Sequence, residues 1–320
     1  MKLSIGIIVC DKDYNHLSSL LKQIIEKVIV EHEVIVIDNR EQYVNEPVSW
    51  TPTYQFGYNA YQFAARAKVI EHAKGEYIWF IDGDDELVDT IRAIPYDEDI
   101  IVHSNYSDPI GLVRHENKVY TKDLFTYPVS GVFEVILWNK FIKRSLFQTQ
   151  FPPIKIVTNE DALWYYSALK NAKSVRTIDK IYYHHTIGLA NKKAHVTEAE
   201  MRHLITGYAE MRRLMRDLIE DDEFYRKVII DVNVYLLHYL EWTDEPDIIG
   251  HICMSLLTYQ DCKDAYQGLL IPAKQRAMLK QLVLECHGKD KAKDLGQLQR
   301  EVIFEDGHKE MYTFNMEVEE

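Results

Sequence analysis

Gly75–Leu87 reads GEYIWFIDGDDEL. Its first part, Tyr77-Ile78-Trp79-Phe80-Ile81, is a short run of aromatic and β-branched residues, the signature of a buried strand. The run ends abruptly in Asp82-Gly83-Asp84-Asp85. Adjacent anions repel and glycine weakens a strand, so the sheet stops there. Carboxylates around a glycine at a strand's carboxyl end are well placed to hold a hard divalent cation, at the edge where open α/β sheets take their ligands. Such a cation keeps coordination positions free for phosphate oxygens, which points to a metal–diphosphate site. An isolated acidic turn facing water reads the same way, so the rest of the chain decides.

Upstream, Leu3–Cys10 is a nearly continuous apolar run, as in a parallel strand covered on both faces. A turn at Asp13-Tyr14-Asn15 follows, and then Leu17, Leu20, Leu21, Ile24, Ile25 and Val28 recur at helical spacing. Glu33–Ile37 is a second β-branched strand, and it ends on Asp38-Asn39-Arg40. Strand, helix, strand is a βαβ unit with a parallel pair and a right-handed crossover. Asp38 at a strand's carboxyl end suits a hydrogen bond from a base or ribose, and equally a turn. Asn59–Ala73 predicts a helix carrying Arg66, closed by Lys74-Gly75.

Downstream, Ile100-Ile101-Val102 predicts a strand, Gly111–Tyr120 a hairpin, and Ser130–Phe147 a helix-like apolar run. Thr158-Asn159-Glu160-Asp161 has the acidic first turn of a helix, and Val175–Tyr183 predicts the last strand, followed by His184-His185. From Thr197 the pattern turns helical: Leu204–Leu218, Val228–Leu240, Ile248–Leu257 and Lys274–Cys286. Glu301–Glu320 reads as a charged peripheral extension. The expected organisation is an α/β domain over 1–192 and a helical region over 193–320.

Composition narrows the partners. A formal charge of −13 over 320 residues argues against nucleic acid as a partner. Four scattered cysteines without a CxxC pair read as reduced thiols, so the expected location is cytoplasmic, extending to the inner face of a membrane. Lys2 and Leu3–Cys10 are too short for a signal peptide, and no stretch has the apolar length of a transmembrane segment.

The amino half, over roughly the first 190 residues, resembles the family 2 inverting glycosyltransferases, nucleotide-sugar enzymes of the GT-A fold. The resemblance rests on an ordered set of motifs: Ser4–Asn15, VIVIDNR at Val34–Arg40, ARAKVIEHAKGE at Ala65–Glu76, IWFIDGDD, Trp138-Asn139-Lys140-Phe141, Arg144-Ser145-Leu146, Glu160-Asp161 and Tyr182–Gly188. The chain departs from it in lacking the proline of the first turn, the second Asp and the Gly-Ser after Asp38, and the Asn and Gly at Ala67 and Val69. The resemblance implies a fold class of α/β, GT-A type, with a mostly parallel sheet flanked by helices. It implies hexosyl transfer from a nucleotide-sugar donor, with UDP expected, to a saccharide or glycoconjugate acceptor in surface polysaccharide assembly. It also implies roles: Asp38 and Arg66 along the nucleoside and diphosphate, Asp82 and Asp84 at the nucleotide, Asp84 and Asp85 on a Mn²⁺ or Mg²⁺ ion, and Asp161 as general base with Glu160 as its alternate.

The chemistry asks for these residue types. Transfer builds an oxocarbenium-like anomeric carbon and a diphosphate leaving group, which a metal and a cation such as Arg66 stabilise. Inversion needs a separate carboxylate to take the acceptor's proton from the opposite face. His184 or His185 would complete a metal site or simply hydrogen-bond; Lys140 would meet the acceptor or phosphate, or cap structure. Trp138 reads as core, and the helical third offers packing, a cover for the acceptor cleft or a surface for a second copy. Two other functions compete. A degenerate GT-A domain acting as a scaffold would explain the lost motif residues. A sugar-1-phosphate nucleotidyltransferase would want a glycine-rich basic loop after the first strand, which Cys10–Asn15 is not.

Overall fold

The computed structural model describes residues 1–10, 14–40, 52–56, 58, 60–94, 97–108, 111–121, 135–152, 160–186, 198–222, 225, 228, 258–266, 273–295, 297–303 and 309–315. The first part runs β1 (Leu3–Val9), α1 (Tyr14–Lys27), β2 (His32–Asp38), β3 (Tyr54–Gln55), α2 (Tyr61–His72) and β4 (Tyr77–Asp82). Strands β5 (Glu86–Leu87), β6 (Ile100–Ser107), β7 (Gly111–Val113), β8 (Lys118–Thr121) and β9 (Lys140–Lys143) follow. Helix α3 (Glu160–Asn171) and the long β10 (Ser174–His185) complete the sheet region. Beyond it lie α4 (Glu198–Leu218), α5 (Tyr259–Tyr266), α6 (Ala273–His287), α7 (Lys289–Leu295), β11 (Gln297–Ile303) and β12 (Lys309–Asn315).

Ten strands form one sheet in the order β3-β2-β1-β4-β9-β6-β10-β5, with β7 on β6 and β8 on β10. Strands β3, β2, β1 and β4 are parallel. Strand β9 runs against both β4 and β6, so β6 and its parallel neighbour β10 point the same way as the first four. The carboxyl ends of β2, β4 and β10 therefore lie along one edge.

Alternation in β1 explains the layering. Leu3, Ile5, Ile7 and Val9 pack with Leu17, Leu20, Ile24 and Val28 of α1 and with Tyr77, Trp79 and Ile81 of β4. Each such side chain contributes about 1.5–3 kcal/mol by leaving water. The opposite face meets α2, which approaches so closely that a Cβ on Gly6 would stand 2.2 Å from Val69 Cγ1. Phe63 of α2 stacks on Trp164 of α3 at 5.0 Å, so α2 and α3 share that side. Both faces of β1 and β4 are covered, which is why neither strand alternates polar with apolar. Ile25, placed on the apolar stripe by spacing alone, is 78% exposed.

Several elements differ from the reading by periodicity. The run expected to be helical over Ser130–Phe147 is, from residue 135 on, a turn, strand β9 and a 3₁₀ turn at Arg144–Leu146. Cross-strand pairing of Phe141 and Ile142 with β6 overrides local helical spacing there. Strands β7 and β8 pair with β6 and β10, not with each other as a hairpin. Val175–Tyr183 is not the last strand, because Gln297–Ile303 and Lys309–Asn315 form an antiparallel pair. Apart from Val228, the helices expected at 228–240 and 248–257 lie outside the described residues, as do Asn59 and Thr158-Asn159.

The chain divides into two compact units, Met1–Lys192 with Glu210–Phe224, and Lys193–Ala209 with Tyr225–Glu320. Among the described residues, no helix is long and apolar enough to cross a membrane.

Candidate active site

Strand β4 delivers Asp82 to the sheet edge and the chain turns at once, Asp85 N–H donating to Asp82 O at 3.3 Å. The turn buries the Asp85 carboxylate, which accepts from the Tyr183 hydroxyl, from Thr186 N at 2.7 Å and from Thr186 Oγ1 at 3.2 Å. His185 Nδ1 lies 3.1 Å from Asp85 Oδ2. Tyr183 also takes the Asp82 N–H at 3.0 Å, so one hydroxyl ties both ends of the turn to β10. Burial pushes the Tyr183 hydroxyl well above its usual pKa, and Asp85 and Asp82 add to this, so it stays a neutral donor.

A second carboxylate group reaches the same edge from α3, whose first turn carries Glu160 and Asp161. Arg66, on the buried face of α2, meets Glu160, Asp161 and Asp82. Its Nη1 is hydrogen-bonded to Glu160 and lies 2.7 Å from Asp161 Oδ1, while its Nη2 is 3.6 Å from Asp82 Oδ1. Asp161 Oδ2 accepts the Leu137 N–H at 3.3 Å. Helix α2 is held in place at its start. Asn39, just past β2, takes the Ala60 N–H at 2.8 Å, and Tyr61 adopts φ 63°. A left-handed tyrosine costs about 1–2 kcal/mol, which this anchoring must offset.

One guanidinium does not neutralise three carboxylates, and the electrostatics follow. Loss of water raises Asp82 to about 7; Arg66 opposes the rise, while Asp85 and Asp84 add to it. Glu160 is raised to about 7, first by burial and then by Asp161, against the pull of Arg66. Asp161 is raised by burial and by Asp82, again against Arg66. Burial works against the charge of Arg66, yet Asp161, Glu160 and Asp82 together raise its pKa above the ordinary arginine value. For His185 burial favours the neutral ring, but the bond and charge of Asp85 win and raise it.

Asp82, Asp85 and His185 each offer a ligand atom within 4.8 Å of the others. Two carboxylates suit a hard divalent cation, the imidazole favours Mn²⁺ over Mg²⁺, and the Asp85 bonds to Tyr183 and Thr186 are the kind of outer support that fixes a ligating carboxylate.

The same architecture occurs in solved structures. The crystal structure of S. aureus TarS residues 1–349 matches at a TM-score of 0.55 and 15% identity, covering 95% of each chain. Its complex with UDP matches at 0.56 and 14%, covering 98% of this chain and 96% of that one. The complex with UDP-GlcNAc matches at 0.55 and 15%, covering 95% of each. The chain has the TarS fold. The α/β class with a GT-A-type sheet, expected from the sequence, is thus the one found. No protein-family model and no curated protein matches the chain in sequence.

On this TarS-like scaffold the singled-out residues fall into groups. Asp82, Asp85, Arg66, Glu160 and Asp161 converge as described. Asp84 is half-buried beside them, raised by burial and by Asp85, and its carbonyl accepts from Thr186 Oγ1 at 2.8 Å. Asp38 is buried at the end of β2 and held by Arg40 through a fork of 2.8 and 2.7 Å, with Gln55 Nε2 at 3.2 Å. Lys140 is fully buried, donating to Ile136 O at 2.6 Å and Asn139 Oδ1 at 2.7 Å. His184 faces away from the aspartate cluster, 3.4 Å from Asp108 Oδ1 and against the Tyr106 ring. His185 takes the place beside Asp85 instead.

Tyr183 and Thr186 went unassigned from the sequence, and so did the stacking role of Trp138, whose ring lies between Tyr183 at 5.0 Å and His185 at 5.2 Å. The nearest sequence signal was the tyrosine-rich strand ending in His184-His185, which marks the element without saying which side chains turn inward.

Proposed function

We propose that the chain is an inverting glycosyltransferase, moving a sugar from a UDP-sugar to a hydroxyl of a saccharide or glycoconjugate acceptor in surface polysaccharide assembly. The observation that carries this reading is the pairing of two carboxylate groups through Arg66: the aspartate turn after β4 and the acidic first turn of α3. The TarS fold supports it, since TarS has been crystallised with UDP and with UDP-GlcNAc.

In this reading Asp161 is the general base. Its Oδ2 is oriented by the Leu137 amide and its Oδ1 by Arg66, and its raised pKa makes it a stronger proton acceptor than an exposed aspartate. The acceptor oxygen attacks the anomeric carbon, the bond to the diphosphate breaks, and the acceptor's proton passes to Asp161. Glu160, bonded directly to Arg66, orients the guanidinium. Asp84 faces the ribose and Asp38 the nucleoside. Asp82, Asp85 and His185 would hold a divalent cation, which supplies positive charge beside the leaving diphosphate.

A scaffold reading draws on one structural feature, the engagement of Asp38 Oδ1 by Arg40 and of Oδ2 by Arg40 and Gln55. Thermal unfolding with UDP, GDP, CDP and dTDP, each with and without Mn²⁺, separates the two. The transferase reading expects a metal-dependent rise of the midpoint with UDP. It also expects UDP release from UDP-sugars that Asp161→Asn slows strongly while keeping the UDP-dependent rise. A folded protein whose midpoint no nucleotide moves overturns it.

A further inference from the structure

We propose that Lys140 is a positioning residue whose buried ammonium pins the Ile136–Lys140 turn, and that this one turn sets both Asp161 and His185.

A lysine is rarely fully buried, because taking an ammonium from water costs several kcal/mol unless fixed partners replace the lost hydration. Lys140 is 0% exposed, which also removes it from direct contact with an acceptor or phosphate. Its Nζ donates to Ile136 O and Asn139 Oδ1 and sits 4.7 Å from the Tyr165 ring centroid. Tyr165 is one turn beyond Asp161 on α3, so the two share a helix face and the ammonium is seated against the face that carries the acid. The backbone closes the same loop, Lys140 N–H donating to Leu137 O at 3.2 Å.

One backbone amide and one side chain reach from this pinned turn toward the site. The Leu137 amide donates to Asp161 Oδ2 at 3.3 Å. The Trp138 ring stacks on His185 with an interplanar angle of 18° and on Tyr183 with 16°, and both of those residues bind Asp85. Trp138 is fixed from behind as well, because its carbonyl accepts the Trp79 indole N–H at 2.6 Å. Releasing Lys140 therefore loosens the support of the acid on α3 and of the imidazole on β10 together. The Asp161 half rests on its reading as the base; the His185 half stands without it.

The test uses the full chain with ¹³C-labelled histidine. The His185 ring signal, assigned by its loss in His185→Gln, should lie upfield in the wild type because the Trp138 ring current covers it. Lys140→Met should move that signal toward the ordinary histidine position, and Asn139→Ala, which removes one acceptor of the ammonium, should move it the same way by less. A His185 signal unmoved in a folded Lys140→Met protein overturns the proposal, since a lysine that only supports the fold lowers the midpoint without shifting that ring. Should Lys140→Met fail to fold, Asn139→Ala decides by the same criterion. The measurement needs neither nucleotide nor metal, so its outcome is independent of whether the chain transfers a sugar.

Discussion

Arg66 Nη1 stands 2.7 Å from Asp161 Oδ1, and that contact joins the helix packed on β1 to the first turn of α3. The same guanidinium reaches Glu160 and Asp82, so a single cation holds two acidic groups at a fixed separation. Arg66→Met should therefore destabilise the protein by about 3–5 kcal/mol, because it strands buried carboxylates without a partner. The loss should shrink as pH falls, since protonation relieves the stranded acids. Urea unfolding of both proteins at pH 7.5 and 5.5 checks this.

Asp161→Asn removes one of the acids that share Arg66, so its effects on stability and on turnover should separate. Stability should stay within about 1 kcal/mol of the wild type or rise, while, with Asp161 as the proposed base, UDP release should fall by a factor on the order of 10²–10⁴. Parallel unfolding and turnover assays measure the two.

Tyr183→Phe keeps the ring against Trp138 but deletes the hydroxyl that serves Asp85 and the Asp82 amide. We expect a cost of about 1–3 kcal/mol from the buried groups left unsatisfied. We also expect weaker Mn²⁺ binding, read by the free-ion signal in electron paramagnetic resonance.

His103 is buried among Trp79, Phe141 and Tyr182. Burial lowers its pKa to about 3, with Lys140 and His115 adding to the fall against the Ser104 carbonyl bond. Its folded pKa lies below the unfolded value, so the stability linked to the neutral ring is full above about 6.5 and drains away as pH falls toward 3. Asp82 and Glu160, raised to about 7, titrate with the opposite sign. The clean observable is therefore a difference. The stability gap between wild type and His103→Leu should narrow by about 1.4 kcal/mol per pH unit below pH 6.

Gly6→Ala would place its Cβ 2.2 Å from Val69 Cγ1, at the closest approach of α2 to the sheet. Overpacking of this kind costs about 1–3 kcal/mol. Adding Val69→Ala should restore part of that loss, so the double variant should be more stable than Gly6→Ala alone in chemical unfolding.

The strands that end in acids were legible because burial on both faces writes a continuous apolar run, as in Tyr77–Ile81. Strand β9 was not, because Phe141 and Ile142 sit in an apolar stretch whose spacing fits a helix until the flanking strands pair with it. The acids at 82, 85, 160 and 161 could be picked by residue type and position at element ends. The tie of Asp82, Glu160 and Asp161 to Arg66 could not, since it spans 94 residues to Glu160 and leaves no trace in periodicity. The choice between His184 and His185 was hidden for a different reason. Strand β10 carries register irregularities between Ile178 and Tyr183, so counting alternation along it does not say which ring faces Asp85.

The bonds that seat Asp85 reach 98 residues forward to Tyr183 and 101 to Thr186. During synthesis, then, a nascent chain that already displays the whole aspartate turn still lacks the groups that complete it. Contacts of such long sequence separation form late, after their loop-closure entropy has been met. A nascent fragment ending before β10 thus lacks Tyr183, His185 and Thr186, and the aspartate turn is completed only once that strand has been made.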